Sequence, residues 1–235
     1  MRRLNGSSIL VIGGSSGIGF GVAKAARSVG ADVTIASRDA QKVADATTRM
    51  GGGEGVTLDT SDAEALEAFF ATRSFDHVFC SAASTKVAAV KELPLEAAYA
   101  SFNSKFWGAY RVARAAQVNA GGSITLVSGF LSVRPKPGAA IQGAINAGIE
   151  GLTRGLALEL APVRVNCISP GLIKTEMYDG LDGDGRKSMF DGAAEKLPVQ
   201  QVGTPEMIAI QAMALMENPY MTGSTVFVDG GGAIA

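Results

Sequence analysis

The residues best placed to do chemistry open the chain: Ile9-Leu10-Val11-Ile12-Gly13-Gly14-Ser15-Ser16-Gly17-Ile18-Gly19. An apolar run of strand character leads into a glycine cluster, and a segment of helical character follows. A dinucleotide site needs that order. Gly13 permits a sharp turn, Gly17 lets main chain approach a diphosphate with no Cβ in the way, and Gly19 lets the helix pack closely on the strand. Free N–H groups along Ser15, Ser16, Gly17 and Ile18, together with the positive helix end, would then face the phosphates. A second apolar run ends in Ile35-Ala36-Ser37-Arg38-Asp39, which puts a guanidinium where the adenosine ribose of such a nucleotide should lie. An acidic side chain there would accept from a free 2′-hydroxyl, whereas Arg pairs with a 2′-phosphate and stacks on adenine. The expected coenzyme is NADP(H) in preference to NAD(H). Two alternatives stay open: Arg38 as a solvated residue capping the next helix turn, and Asp39 as a competitor for the ribose.

These groups must be held by a framework, and its outline is visible in the alternation of short β-branched runs with longer Ala-rich segments. That alternation signals βαβ units around a parallel sheet. Strands are expected at Ser8–Gly13, Asp32–Ser37, Gly55–Asp59, His77–Ser81, Ser123–Ser128, Arg164–Ser169 and Ser224–Val228. All are mostly apolar, so both faces of the sheet should be covered. Helices are expected at Gly17–Val29, Asp39–Met50, Asp62–Thr72, Leu95–Val118, Ala139–Leu160 and Pro205–Met216. Gly51-Gly52-Gly53-Glu54-Gly55 reads as a helix-to-strand turn. Lys174–Gly192, rich in Gly and acidic residues, reads as an irregular excursion too long for an ordinary connection, either a lid over a substrate or a mobile surface loop. No linker or repeat divides residues 1–235, so one domain is expected.

Composition narrows the partners. Lys plus Arg number 21 against 22 Asp plus Glu, a formal charge of -1 that leaves no surplus to neutralise a nucleic-acid backbone. No apolar stretch approaches the roughly 20 residues that cross a bilayer, and Met1-Arg2-Arg3 leads straight into a strand-like segment, so a cytoplasmic location off the membrane is expected. Cys80 and Cys167 each sit in an apolar run and read as buried, reduced thiols. With His77 the single histidine, no His-ligated metal site is expected.

The glycine spacing is G-x-x-x-G-x-G, and with it the chain resembles the short-chain dehydrogenase/reductase family from Ser8 to Val228-Asp229-Gly230-Gly231. Cys80-Ser81-Ala82-Ala83 stands where the family writes N-N-A-G. Gly151-Leu152-Thr153-Arg154 and Arg164-Val165-Asn166-Cys167-Ile168-Ser169-Pro170-Gly171 read almost letter for letter. The resemblance implies a single-domain, doubly wound Rossmann fold, α/β in class, with a seven-stranded parallel sheet flanked by helices on both faces. It also places Asp59 beside the adenine ring, Ser81, Ala82 and Ala83 along the coenzyme, and Pro170, Gly171, Ile173 and Thr175 near the nicotinamide.

The family's proton machinery is missing. Its Tyr and Lys lie four residues apart on the helix after the fifth strand, and those positions fall on Gln142 and Asn146. The family's Ser falls on Gly129, with Ser128 adjacent. Its Asn, three residues before Gly108, is replaced by Lys105, so Lys and Asn look exchanged. On one reading the Lys105 ammonium enters the same cavity from the opposite helix and supplies charge or proton, its pKa lowered by burial beside an oxidised nicotinamide. On the other it is a surface or interface residue. Gln142 could hold a substrate carbonyl through its amide, and Ser128 could bond substrate or only satisfy local backbone. Tyr178 is the remaining hydroxyl to weigh as a proton donor, while Tyr99 and Tyr110 read as packing residues.

The resemblance thus implies an NADP(H)-dependent oxidoreductase acting on a small carbonyl or alcohol with an atypical active site. A nucleotide-binding sensor or partner protein without turnover, and a non-redox enzyme on the same fold, are the alternatives. Substrate would lie between Gln142, Lys105 and the 174–192 stretch, near Met177, Tyr178, Leu181, Met189 and Phe190. Association into a homodimer or homotetramer is implied as well, with Gly143, Ala144, Ala147, Gly148 and Gly151 forming a small-residue helix face that would serve an interface or the helix's own sheet.

Overall fold

Side chains of a strand point alternately to opposite faces, and Ile9-Leu10-Val11-Ile12 uses both. Ile9 and Val11 pack with Val22, Ala26, Ile208 and Leu215 on one face, while Leu10 and Ile12 pack with Val112, Ile145 and Ile149 on the other. The computed structural model describes residues 4–180 and 182–235. Met1, Arg2, Arg3 and Leu181, which the sequence reading used, lie outside the described residues.

The element order is β1 (Ser8–Ile12), α1 (Gly17–Ser28), β2 (Asp32–Ser37), α2 (Ala40–Met50), β3 (Glu54–Thr57), α3 (Ala63–Ala71), β4 (Phe75–Cys80), α4 (Leu95–Phe102), a π-helical turn (Asn103–Trp107), α5 (Gly108–Ala115), β5 (Val118–Val127), α6 (Ala140–Glu159), β6 (Arg164–Pro170), α7 (Gly183–Ala194), α8 (Pro205–Glu217) and β7 (Thr225–Val228). The strands form one seven-stranded sheet in the order β3-β2-β1-β4-β5-β6-β7. Every pair is parallel. Helices cover both faces, so the fold is a single-domain, Rossmann-like α/β sheet. The order reverses between β1 and β4, and the crevice at the carboxyl ends of those strands is where such sheets hold ligands. No helix of the described residues is long and apolar enough to cross a membrane.

Two expectations are corrected. Leu95–Val118 is not one helix, because Asn103–Trp107 widens into a π turn and Val118 already belongs to β5. Arg111 caps the widened turn, donating to the Asn103 carbonyl at 3.4 Å and to its Oδ1 at 2.7 Å. The 174–192 stretch is not irregular throughout. It holds a 3₁₀ turn (Glu176–Tyr178) and the twelve-residue α7. Asp182 starts α7 by accepting from the Gly185 N–H at 2.6 Å. The helix was hidden because it buries no residue and so carries no apolar period. Tyr178 stacks edge-on against Phe190 with centroids 5.4 Å apart, which pins α7 to the preceding turn.

Arg164 ties the sheet to the last long helix. Its buried guanidinium donates to the Leu215 and Met216 carbonyls at 2.7 and 2.8 Å and to Met221 O at 3.2 Å. The first two sit in the last turn of α8, where carbonyls lack helical partners and the dipole favours a cation. Replacing Arg164 by Met is expected to cost about 3 kcal/mol and lower Tm by roughly 6–12 °C in a thermal melt. A shift of under about 2 °C would refute the role.

Candidate active site

The first wall of the site is built from glycines with no room for anything else. A Cβ on Gly13 would lie 2.7 Å from Ala82 N, and one on Gly19 only 2.1 Å from the Gly13 carbonyl oxygen. Gly13 adopts φ +85, a conformation that L side chains rarely take. Ser81 is drawn to the same place, its N–H bonding Ile12 O at 2.9 Å. Ser16 caps α1 in extended conformation without a side-chain bond, and the first turn holds no acid, so its amides remain for an outside anion. One of them, the Gly17 N–H, donates to Glu176 Oε2 at 2.9 Å. The Glu176 carboxylate also lies 4.0 Å from Arg49. A diphosphate at this helix end would compete with it for the same amide. Thr175 reaches the cradle too, its methyl 3.4 Å from where a Cβ on Gly17 would stand.

At the tip of β2, Arg38 is exposed and makes no hydrogen bond or ion pair among the described residues. Asp39 does not share that freedom. Its carboxylate caps α2 by accepting from the Lys42 N–H at 3.0 Å. The capping role weighed for Arg38 thus falls to Asp39. Asp59 holds the turn before α3, accepting from the Ser61 N–H at 2.8 Å. Pro170 ends β6, and the Gly171 N–H bonds Val228 O at 3.1 Å. Ile173 is buried and bridges to Gly203, carrying the chain back toward Thr175. Amides without side chains, a free guanidinium and a hydroxyl-bearing turn fit a phosphorylated dinucleotide.

The opposite wall brings the exchanged pair into contact. Lys105, centred in the π turn, is only 9% exposed, and its Nζ donates to Asn146 Oδ1 and to the Ser128 carbonyl, each at 2.7 Å. Lys105 is therefore no surface residue. Burial pushes its ammonium down to about 8, while Cys167 and Glu150 pull it back up. Cys80 and Cys167 are buried and free, and burial drives both thiols up to about 11. A Cβ on Gly129 would sit 2.8 Å from Asn146 Nδ2. Loss of the side chain at 129 therefore makes room for the amide that Lys105 needs.

Ser128 stands here in two capacities. Its carbonyl holds Lys105, and its hydroxyl donates to Glu150 Oε1 at 2.9 Å, so that hydroxyl is already engaged within the protein. Gln142 begins a spacing of four along α6, followed by Asn146 and Glu150, which aligns the three on one helix face. The buried Oε1 of Gln142 has no partner among the described residues. Glu150 was missed in the sequence, although that spacing of four was there to be found. Tyr178 is packed on Phe190, and its phenol is pushed up by burial. Tyr99 is exposed and is not a packing residue, whereas Tyr110 stacks edge-on against Trp107 at 5.7 Å. Gly148 packs against Phe106 and Gly143 against the Leu131 carbonyl, while Ala144 and Ala147 face outward.

Comparison with known proteins identifies the family. The model of the family described as enoyl-(acyl carrier protein) reductase matches residues 12–232. The short-chain dehydrogenase/reductase ucsE of Acremonium sp is 32% identical over 99% of this chain and 97% of its own. A small-chain dehydrogenase solved in complex with NADPH superposes with a TM-score of 0.83 and 34% identity, covering 98% of this chain and all of that one. An NADPH-bound short chain oxidoreductase of Pseudomonas aeruginosa PAO1, described as containing an atypical catalytic center, gives a TM-score of 0.89 at 26% identity, with 96% of each chain covered. The chain belongs to the short-chain dehydrogenase/reductase family, and its homologues are oxidoreductases.

The fit of Asn146 against Gly129 can be probed directly. Gly129→Ala should displace the amide from Lys105 and destabilise the protein by about 1–3 kcal/mol, read as a lowered midpoint in urea. An unchanged midpoint would show that the space is not shared.

Proposed function

We propose that the protein is an NADP(H)-dependent oxidoreductase acting on a small carbonyl or alcohol, with Lys105 as the proton-handling group. The observation that carries this reading is the Lys105 ammonium, buried and held at 2.7 Å by both Asn146 Oδ1 and Ser128 O. When bound, the coenzyme supplies or accepts the hydride. Gly13, Ser15, Ser16, Gly17, Ile18 and Gly19 would hold its diphosphate, Asp59 and Ser81-Ala82-Ala83 its adenosine and ribose side, and Pro170, Gly171, Ile173 and Thr175 the nicotinamide end. The exposed Arg38 and the NADPH bound by similar structures support a 2′-phosphate.

With a pKa of about 8, Lys105 exists in both protonation states near neutrality, as a general acid–base requires. In reduction the ammonium delivers a proton to the substrate oxygen, and in oxidation the free amine removes one. Asn146 and the Ser128 carbonyl orient the amine. The amide Nε2 of Gln142 donates to the substrate oxygen and so positions it without titrating. The exposed, stacked pair Trp107 and Tyr110 and the exposed Tyr99 support association of copies into a dimer or tetramer, which sedimentation would measure.

Incubation with 4-deuterated NADPH and a panel of carbonyls is expected to give labelled alcohol. Binding without consumption, or product without label, would overturn the reading. Lys105→Ala should reduce kcat by about 10²–10⁴-fold. Because reduction needs the ammonium, its rate should fall as pH rises through about 8, and oxidation should rise over the same interval. Arg38→Asp should weaken NADPH at least about tenfold relative to NADH in a fluorescence titration, and an unchanged ratio would refute the 2′-phosphate contact.

A further inference from the structure

Glu150 is a buried acid without a part in the chemistry given to Lys105, yet three hydroxyls converge on one of its oxygens. Ser132 Oγ donates to Oε1 at 2.6 Å, Ser128 Oγ at 2.9 Å and Ser169 Oγ at 3.4 Å. They come from the 3₁₀ turn after β5, from the end of β5 and from β6. Donors arranged in this way are what allow a carboxylate to stay charged away from water. Glu150 itself is only 9% exposed, as is Lys105. The two are joined through one residue, since Ser128 gives its carbonyl to Lys105 and its hydroxyl to Glu150. They are also joined through α6, where Asn146 precedes Glu150 by one helical turn.

We infer that Glu150 is a positioning residue for Lys105: through the Ser128 hydroxyl it fixes the carbonyl on which that ammonium rests, and one turn along α6 it sets its carboxylate behind the Asn146 that holds the same ammonium. The charge account around Lys105 is short. The titratable groups that face it are Cys167 on β6 and Glu150 on α6, and Asn146 does not titrate. Cys167 raises the lysine more than Glu150 does, but burial drives that thiol up to about 11, so the carboxylate among the facing groups is Glu150. Burial lowers the lysine, and an adjacent carboxylate opposes that fall. A purely structural Glu150, stapling β5, β6 and α6 through its hydroxyls, would not govern the titration of an amine.

The use of this coupling in turnover rests on the proton-handling reading above, but the coupling can be measured without turnover. In protein labelled with ¹³C at lysine Cε, the Lys105 signal is identified by its loss in Lys105→Arg and followed against pH by NMR. It is expected to titrate near 8 in the native protein and about one pH unit lower in Glu150→Gln, with Glu150→Asp in between. The fall of the reduction rate with pH should move in the same direction. An unmoved Lys105 titration in folded Glu150→Gln overturns the inference. If that variant does not fold, Glu150→Asp, which draws the carboxylate back by one methylene, should give a smaller shift of the same sign, and no shift there overturns it equally. A Lys105→Ala protein with full turnover would defeat the proton-handling reading while leaving the measured shift in support of the coupling.

Discussion

An ammonium removed from water must find acceptors or lose its proton, and the far wall of this site is organised around that constraint. Lys105 finds two acceptors at 2.7 Å, one from a side chain and one from main chain. Neither would be placed without the other features nearby. Gly129 leaves room for Asn146, the end of β5 turns the Ser128 carbonyl inward, and the π turn aims Lys105 across from α5 to α6. π-Helical turns are rare and are found frequently at functional sites. Here the widened turn is steadied by Arg111 on the Asn103 carbonyl and amide.

The other wall obeys a different rule. Its work is done by main-chain amides, so what matters is the absence of side chains. The contacts that a Cβ would make at Gly13 and Gly19 fall at 2.7 and 2.1 Å, too close for any atom to stand there. The parallel sheet then brings β1, β4 and β6 to one edge. Residues more than a hundred positions apart, such as Gly17 and Glu176, meet there at 2.9 Å. The cradle's amides are thus available both to the chain's own carboxylate and to a diphosphate.

Much of this could be read before any coordinates. The apolar runs locate the strands, because strands covered on both faces are nearly continuous in Val, Ile, Leu and Phe, but β5 begins at Val118 and not at Ser123, since Asn119-Ala120-Gly121-Gly122 carries no such run. The glycine spacing locates the cradle, and counting from Gly151-Leu152-Thr153-Arg154 and Gly108 brings out the Lys105 and Asn146 exchange. What escaped was of another kind. Helix α7 is held to the preceding turn by the Tyr178–Phe190 pair and the Arg186–Asp179 ion pair and carries no apolar stripe. The π turn leaves no mark in residue type. Ser128 was visible as a hydroxyl, but nothing in its neighbours says that the hydroxyl is given to Glu150 while the carbonyl serves Lys105. That Asp39, and not Arg38, caps α2 through the Lys42 N–H could be read only from the backbone.

The order of residues along the chain by itself determined the α/β class, the glycine cradle and the spacing of four between Gln142 and Asn146, because these depend on local pattern and on spacing within one element. Only the tertiary structure decided which groups hydrogen-bond to one another, for that depends on distances of about 3 Å between residues brought together from three separate elements. Lys105, Ser128, Asn146 and Glu150 lie up to 45 positions apart in the sequence, and their common environment exists only once α6 closes over the ends of β5 and β6.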